Sequence, residues 1–443
     1  MPRLRPLPLL VAGLLTMTAL PASVIAATPP ATVQVAGIAA DNPFLAPSTL
    51  PFQAPDFSRI KDSDFAPAFD EGMRRHLAEV RAIADNPTAP TFDNTIVALE
   101  KSGQMLARVN MVFNALTGAN TNDALQKVQE DVAPKLAGHW DAIYLDPKLF
   151  ARIDTLWQQR GSLKLDPESS RLLDWYHDEF VRNGATLSAA DKTRLKALNE
   201  EESTLVTQFV NRLLAGTKDG ALVTDDAKTL AGLPQADLDA AARAANDRHL
   251  DGKWVLTLQN TTQQPALQSL TGRATREQLF QDSWTRTERG DGNDTRATIA
   301  RLAQIRAEQA KLLGYPNYAA WKLGDQMAKT PQAAIKFMQD MVPASTAKAR
   351  AEAGELQSAV KQDGQSFTLA PWDWERYAEQ VRKAKYDLDE SQVKPYFELD
   401  SVLQNGVFYA AHQLYGLTFK ERKDLPVYQP DVRVFEVFDA DGK

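Results

Sequence analysis

Along most of the chain, apolar residues recur every three to four positions, the spacing that places them on one face of an α-helix. The longest run follows Ser188-Ala189-Ala190-Asp191, which reads as a capping box with Leu187 positioned as a hydrophobic staple. From there Leu195, Leu198, Leu205, Phe209 and Leu213 share a face until Gly216. Asp166-Pro167-Glu168 opens a second helix, with Leu172, Leu173, Tyr176 and Phe180 inward and Gly184 as its stop. A third runs from near Asp294 through Ile299, Leu302, Ile305 and Leu313 to Gly314. The same period covers roughly 64–84, 92–117, 122–141, 333–361, 373–386 and 399–415.

Strand signals are few. Lys253-Trp254-Val255-Leu256-Thr257-Leu258 predicts one strand, and Ala221 to Val223 a short partner. The segment Val432 to Phe438 alternates most clearly, and Asp439-Ala440-Asp441-Gly442 follows as a hairpin turn before Lys443. A strand entering such a turn needs a neighbour for its backbone groups, and no strand follows. The expectation is that residues 432–438 lack a partner and that the chain is the front part of a longer protein, cut within a β-hairpin. No repeat of fixed period appears, so the fold class is mainly α with a small β element at the C-terminal end.

The N-terminus departs from the helical pattern. Arg3 and Arg5 precede an apolar run from Leu7 to Leu20, and Ala22-Ser23-Val24-Ile25-Ala26-Ala27 supplies small residues suited to signal peptidase. This predicts a secretory signal peptide over residues 1–26, and a periplasmic or secreted location. The run is short of a bilayer span and contains Pro8, Gly13 and Thr16, which disfavours an uncleaved anchor. Residues 27–55, rich in Pro, Ala, Thr and Ser, read as a linker or an extended arm wrapping the body. Residues 56–443 form the helical portion, with no further domain boundary evident.

Charge and composition narrow the function. The 443 residues carry 50 basic and 57 acidic side chains; losing Arg3 and Arg5 with the signal leaves 48 against 57, a net charge of −9. That disfavours nucleic acid as a partner, which would call for a basic surface. No second apolar stretch reaches membrane length, so no membrane association is expected after signal cleavage. With no cysteine, disulfides, thiolate metal sites and thiol nucleophiles are excluded from this chain.

The residues themselves assemble no active site. The five histidines, His76, His139, His177, His249 and His412, lie far apart, and none forms the His-Glu-x-x-His pair that turns two imidazoles toward one zinc ion. His177-Asp178-Glu179 reads as a surface polar cluster. Ser58-Arg59-Ile60-Lys61 and Ser345-Thr346-Ala347-Lys348 fit Ser-x-x-Lys without its companion motifs. Gly290-Asp291-Gly292-Asn293-Asp294 lacks the third glycine of a phosphate loop and puts Leu302 where a calcium loop needs Glu, so it reads as a turn into a helix. The aromatics of Pro371-Trp372-Asp373-Trp374-Glu375-Arg376-Tyr377 and Tyr315-Pro316-Asn317-Tyr318-Ala319-Ala320-Trp321 read as core anchors.

Several stretches taken in order carry a resemblance. They are Asn42-Pro43-Phe44, Ser48-Thr49-Leu50-Pro51-Phe52, Ile60-Lys61-Asp62-Ser63-Asp64-Phe65, Pro67-Ala68-Phe69-Asp70-Glu71-Gly72-Met73 and Asn260-Thr261-Thr262-Gln263-Gln264-Pro265. Gly314-Tyr315-Pro316-Asn317-Tyr318, Pro371-Trp372-Asp373-Trp374, Lys394-Pro395-Tyr396-Phe397 and Tyr428-Gln429-Pro430-Asp431-Val432-Arg433-Val434 continue the series. Together they resemble the bacterial peptidyl-dipeptidases (dipeptidyl carboxypeptidases) of the thimet-oligopeptidase-like zinc metallopeptidases. Gln429 is a departure, since the family often carries His there.

The resemblance implies a two-lobed helical metallopeptidase fold, zincin-like and neurolysin-like, here incomplete, with a deep channel that restricts access to oligopeptides. It implies one zinc ion and release of C-terminal dipeptides by the intact protein. The zinc motif and the substrate-binding His and Tyr residues of the family would lie beyond the position of Lys443. No catalytic or metal residue is therefore carried onto this chain, its substrate-binding residues stay unassigned, and alone it is expected to be inactive. The alternatives are an oligopeptidase of the same family, or a non-enzymatic secreted helical protein that binds peptides or a partner.

Overall fold

The computed structural model describes residues 37–387 and 390–443. The expected signal peptide, 1–26, and the first part of the expected arm lie outside the described residues. The first helices are α1 (Phe65–Ala84), α2 (Ala98–Lys101), α3 (Gln104–Ala119), α4 (Asp123–Tyr144), α5 (Pro147–Gln158), α6 (Pro167–Arg182) and α7 (Ala189–Asp219). There follow β1 (Leu222–Thr224), α8 (Gln235–Asn246), β2 (Trp254–Leu256), α9 (Asn260–Ser269), α10 (Arg273–Trp284), α11 (Arg296–Leu312) and α12 (Tyr318–Leu323). The last are α13 (Pro331–Gln362), α14 (Trp374–Tyr386), α15 (Glu390–Val393), α16 (Leu399–Ser401), α17 (Tyr409–Tyr415), β3 (Thr418–Glu421) and β4 (Phe435–Phe438). The mainly helical expectation holds.

Local chemistry explains where several helices begin. Asp146, Asp166 and Thr330 each accept a hydrogen bond from a backbone N–H two or three residues on, and each is followed by proline. The side chain satisfies an orphan donor while proline, which has none, supplies a preset φ. Asn122 caps α4 in the same way through Leu125 N.

The chain forms two compact units, where the sequence predicts no boundary after residue 55. Unit 1 comprises residues up to Gln208, Thr298–Trp321 and Val407–Lys443; unit 2 comprises Phe209–Ala297 and Lys322–Gly406. Two of the divisions fall inside α7 and α11, so the helical pattern continues across them and no shift in composition marks them.

In unit 1, α1 packs on α3 and α4 around Phe65, Phe69, Val109 and Phe113. Phe44 enters the same core, its ring 5.2 Å from Phe65, while Asn42 accepts from Phe44 N and donates to Asp64 O. Residues 42–44 thus dock onto the start of α1. A second core gathers Ile96, Leu149, Ile153, Leu156, Leu173 and Phe180. Unit 2 has one core around Leu230, Leu270 and Leu279, beside the antiparallel pair β1–β2, and another around Leu356, Val360 and Tyr377.

The C-terminal strand corrects the sequence reading. Phe435–Phe438 pairs antiparallel with Thr418–Glu421, in the register Thr418 to Phe438 and Glu421 to Phe435. Its neighbour therefore precedes it, and the argument that it lacks a partner fails. Phe408 stacks on Phe419 at 4.0 Å and meets Phe435 edge-on at 5.0 Å, which gives the ribbon an apolar side. The turn expected at 439–442 is present, with Gly442 N donating to Asp439 O.

Candidate functional site

The structure brings together two of the five histidines. His76 on α1 and His139 on α4, 63 positions apart, place Nδ1 and Nε2 2.9 Å from each other. Both are buried, and Trp140 meets the two rings edge-on. The junction between α2 and α3 closes the site: His76 Nε2 lies 3.2 Å from Ser102 Oγ, and Gly103 N donates to Glu79 Oε2 at 2.7 Å. Gly103 has φ +69°, and a Cβ there would lie 3.0 Å from three atoms of the His76 ring, so glycine is required twice over. Burial lowers the His76 pKa against the pull of Glu79, and burial together with the neighbouring His76 holds His139 down at about 4. Both rings are neutral at pH 7.

The other histidines stand apart from this pair. His177 stacks on Trp157 with rings 4.0 Å apart, and its Nε2 lies 3.3 Å from Asp154 Oδ1. It is therefore half-buried against α5, and of the expected surface cluster it keeps Asp178, whose Oδ1 lies 3.8 Å from its Nδ1. His249 has φ +57° in the turn before β2, and His412 lies within 3.2 Å of Leu417 O.

A second buried polar group links α4, α7 and α11. Asn199 donates to Asp141 Oδ1 at 2.7 Å, and Gln309 Nε2 reaches Asn199 Oδ1 at 3.0 Å and Glu202 Oε2 at 2.8 Å. Glu202 also accepts from Arg306 Nε at 2.9 Å. Burial pushes the Asp141 carboxyl up to about 6, although the Asn199 hydrogen bond opposes the shift. Such a value suits a general acid. Asp141 is nonetheless 7% exposed and committed to Asn199, so it serves packing rather than a substrate.

In unit 2, Asp373 is wholly buried and accepts from Arg273 at 3.0 Å and Arg276 at 2.9 Å. Arg276 also donates to Leu270 O and Thr271 O. The Pro371–Tyr377 stretch is thus a core anchor, as its aromatics predict, but a buried charge holds it as well. The turn reading of 290–294 agrees with Gly290 N donating to Asp294 Oδ2 and Arg296 N to Asp294 Oδ1. Ser58 bonds to Asp56, and Lys348 lies 3.3 Å from Glu352, so neither Ser-x-x-Lys stretch brings its lysine to its serine.

Zinc does not fit the residues present. No group of three or more His, Cys, Asp or Glu residues able to hold a metal occurs among the described residues. The His76–His139 pair offers one uncommitted ring nitrogen, since the other three face each other or Ser102. A structural or catalytic zinc needs at least three protein ligands.

Comparison with known proteins finds similarity to peptidases. The model for peptidase family M3 matches residues 266–443. Dipeptidyl carboxypeptidase of Salmonella typhimurium is 55% identical over 401 residues, covering 90% of this chain and 59% of that protein. Dipeptidyl carboxypeptidase of Escherichia coli is 54% identical over 401 residues, with the same coverage. Oligopeptidase A of Escherichia coli is 27% identical over 402 residues. The chain thus spans 59% of the length of each of these relatives. The Arg273–Asp373–Arg276 group lies inside the stretch matched as M3 peptidase, and the histidine pair lies outside it.

Proposed function

We propose that the full-length protein is a zinc-dependent peptidyl-dipeptidase that releases C-terminal dipeptides from oligopeptides. One observation carries this reading: identity is 55% to a dipeptidyl carboxypeptidase and 27% to an oligopeptidase A over nearly the same residues. On this reading the described residues supply helical scaffold, and the zinc ligands come from outside them. Full-length protein should release the C-terminal dipeptide from an N-blocked tetrapeptide, and a chelator should abolish the release. Cleavage at internal bonds of longer peptides alone would favour the oligopeptidase alternative. Peptide binding without turnover would favour the non-enzymatic one.

The 443-residue chain on its own should be inert toward the same peptides with zinc added. Export is proposed on the sequence alone, from Arg3, Arg5, the apolar run and the small residues at 22–27. N-terminal sequencing should find a mature protein that starts at Ala27 or Thr28 outside the cytoplasm. No helix among the described residues is long and apolar enough to cross a membrane.

A further inference from the structure

His76 and His139 join three parts of unit 1, and the direction of their hydrogen bonds can be followed from one end. Ser102 Oγ lies 2.7 Å from Leu99 O, an atom that can only accept, so the hydroxyl hydrogen points there. Ser102 Oγ then accepts from His76 Nε2. With its hydrogen on Nε2, the neutral His76 ring has a lone pair on Nδ1 and accepts from His139 Nε2. His139 is left with a lone pair on Nδ1, an atom that is buried and has no hydrogen-bond partner. Reversing the chain of bonds would take the hydroxyl hydrogen from Leu99 O and bury a His139 N–H with no acceptor, which is worse on both counts.

The relay therefore ends in a basic nitrogen that can take a proton without breaking a bond. The cation so formed would be buried with no acceptor. A second proton, on His76 Nδ1, would set two N–H groups against each other across 2.9 Å. The surroundings give little relief. On α1, Glu79 favours charge on His76, but its carboxylate already accepts from Gly103 N. On α4, Trp140 is neutral, and Asp141 is turned to Asn199 of α7. At the α2–α3 junction Ser102 and Gly103 carry no charge.

We propose that the His76–His139 pair is an acid-released latch, which clamps α1, α4 and the α2–α3 junction together at neutral pH and lets the junction open when it binds a proton. Burial sets the working range. A histidine with the ordinary pKa of 6.5 when the site is open, and about 4 when it is closed, takes up a proton on opening between those values. Opening then grows by up to about ten-fold for each pH unit lost.

Amide exchange at Gly103 N, the donor to Glu79, tests this in the 443-residue chain. Its protection, corrected for intrinsic exchange, should fall toward ten-fold per pH unit below pH 6.5, while that of Leu173 in α6 changes less than two-fold. His139→Phe should flatten the Gly103 profile. Nitrogen-15 spectra of the wild-type rings should show His139 protonated at Nε2 alone at pH 7, which keeps the test decisive if that variant fails to fold. Gly103 protection independent of pH, loss of protection at Gly103 and Leu173 together, or a hydrogen on His139 Nδ1 at pH 7 would each overturn the latch.

Discussion

Gln429 donates from Nε2 to Asn120 Oδ1 at 2.9 Å, although 309 positions separate them in the chain. Asn120 ends α3, and next to Gln429 the ring of Tyr428 meets Phe57 edge-on at 5.4 Å. The segment before β4 is thereby fastened to the first core of unit 1. Gln429→Ala should cost about 0.5–1.5 kcal/mol, the usual net worth of one hydrogen bond. A double-mutant cycle with Asn120→Ala, read by urea unfolding, should return a coupling of the same order. Additive losses would mean that the two side chains do not interact in solution.

The β3–β4 ribbon predicts slow amide exchange at alternate positions of Phe435–Phe438, where the strand bonds to Thr418–Glu421. Phe435→Ala should remove the edge-on contact with Phe408 and cost about 1–3 kcal/mol, less than a fully buried phenylalanine. Exchange at Lys420 and Glu436, which face each other as a hydrogen-bonded pair, should speed up in the same variant. Unchanged exchange would show that backbone pairing alone holds the ribbon.

Much of this fold was legible because helices announce themselves locally. Asp166-Pro167 and Leu187 to Asp191 mark starts by capping chemistry, and the period of Leu195, Leu198 and Leu205 marks a buried face. Pro147–Gln158 escaped despite its Asp146 cap, and the alanine-rich Gln235–Asn246 has few large apolar residues to reveal a period. The run at 92–117 is broken by Ser102 and by Gly103 in a left-handed conformation, a break that apolar spacing does not register. Thr418–Glu421 holds one large apolar residue and looks like a strand only beside Phe435–Phe438. The histidine pair was not legible at all. Its members are 63 residues apart on two helices, and only the packing of α1 on α4 makes them neighbours.

Asp141 gives a pH dependence opposite in sign to that of His139. Its carboxyl rises from 3.8 to about 6 on folding, chiefly through burial. Its contribution to stability is fully present below pH 3.8 and is lost as pH rises through about 6. Asp141→Asn keeps an oxygen for Asn199 and carries no charge. It should stabilise the protein at pH 7 by about 1–3 kcal/mol and by little at pH 4, in denaturant titrations at the two values. A loss of stability at pH 7 would show that the ionised carboxylate is needed.

In unit 2, Asp373→Ala should cost about 3–5 kcal/mol, because it strands the buried Arg276 guanidinium without its counter-charge. Arg273→Ala, at a side chain 35% exposed, should cost markedly less. Guanidinium unfolding of both variants gives the order directly. Equal losses would place the burden on the cation–π contacts of Arg273 with Phe367 and Trp372.

Gly72 lets α1 lie against α3 so closely that a Cβ there would sit 3.1 Å from Leu106 Cα. A backbone atom cannot rotate out of the way as a side-chain tip can. The tolerance of this contact is consequently uneven: Leu106 can lose carbons and leave a gap that neighbours partly fill, whereas one carbon gained at Gly72 requires the α3 backbone to give way by a few tenths of an ångström. Change at this contact is freer from the side of α3 than from the side of α1.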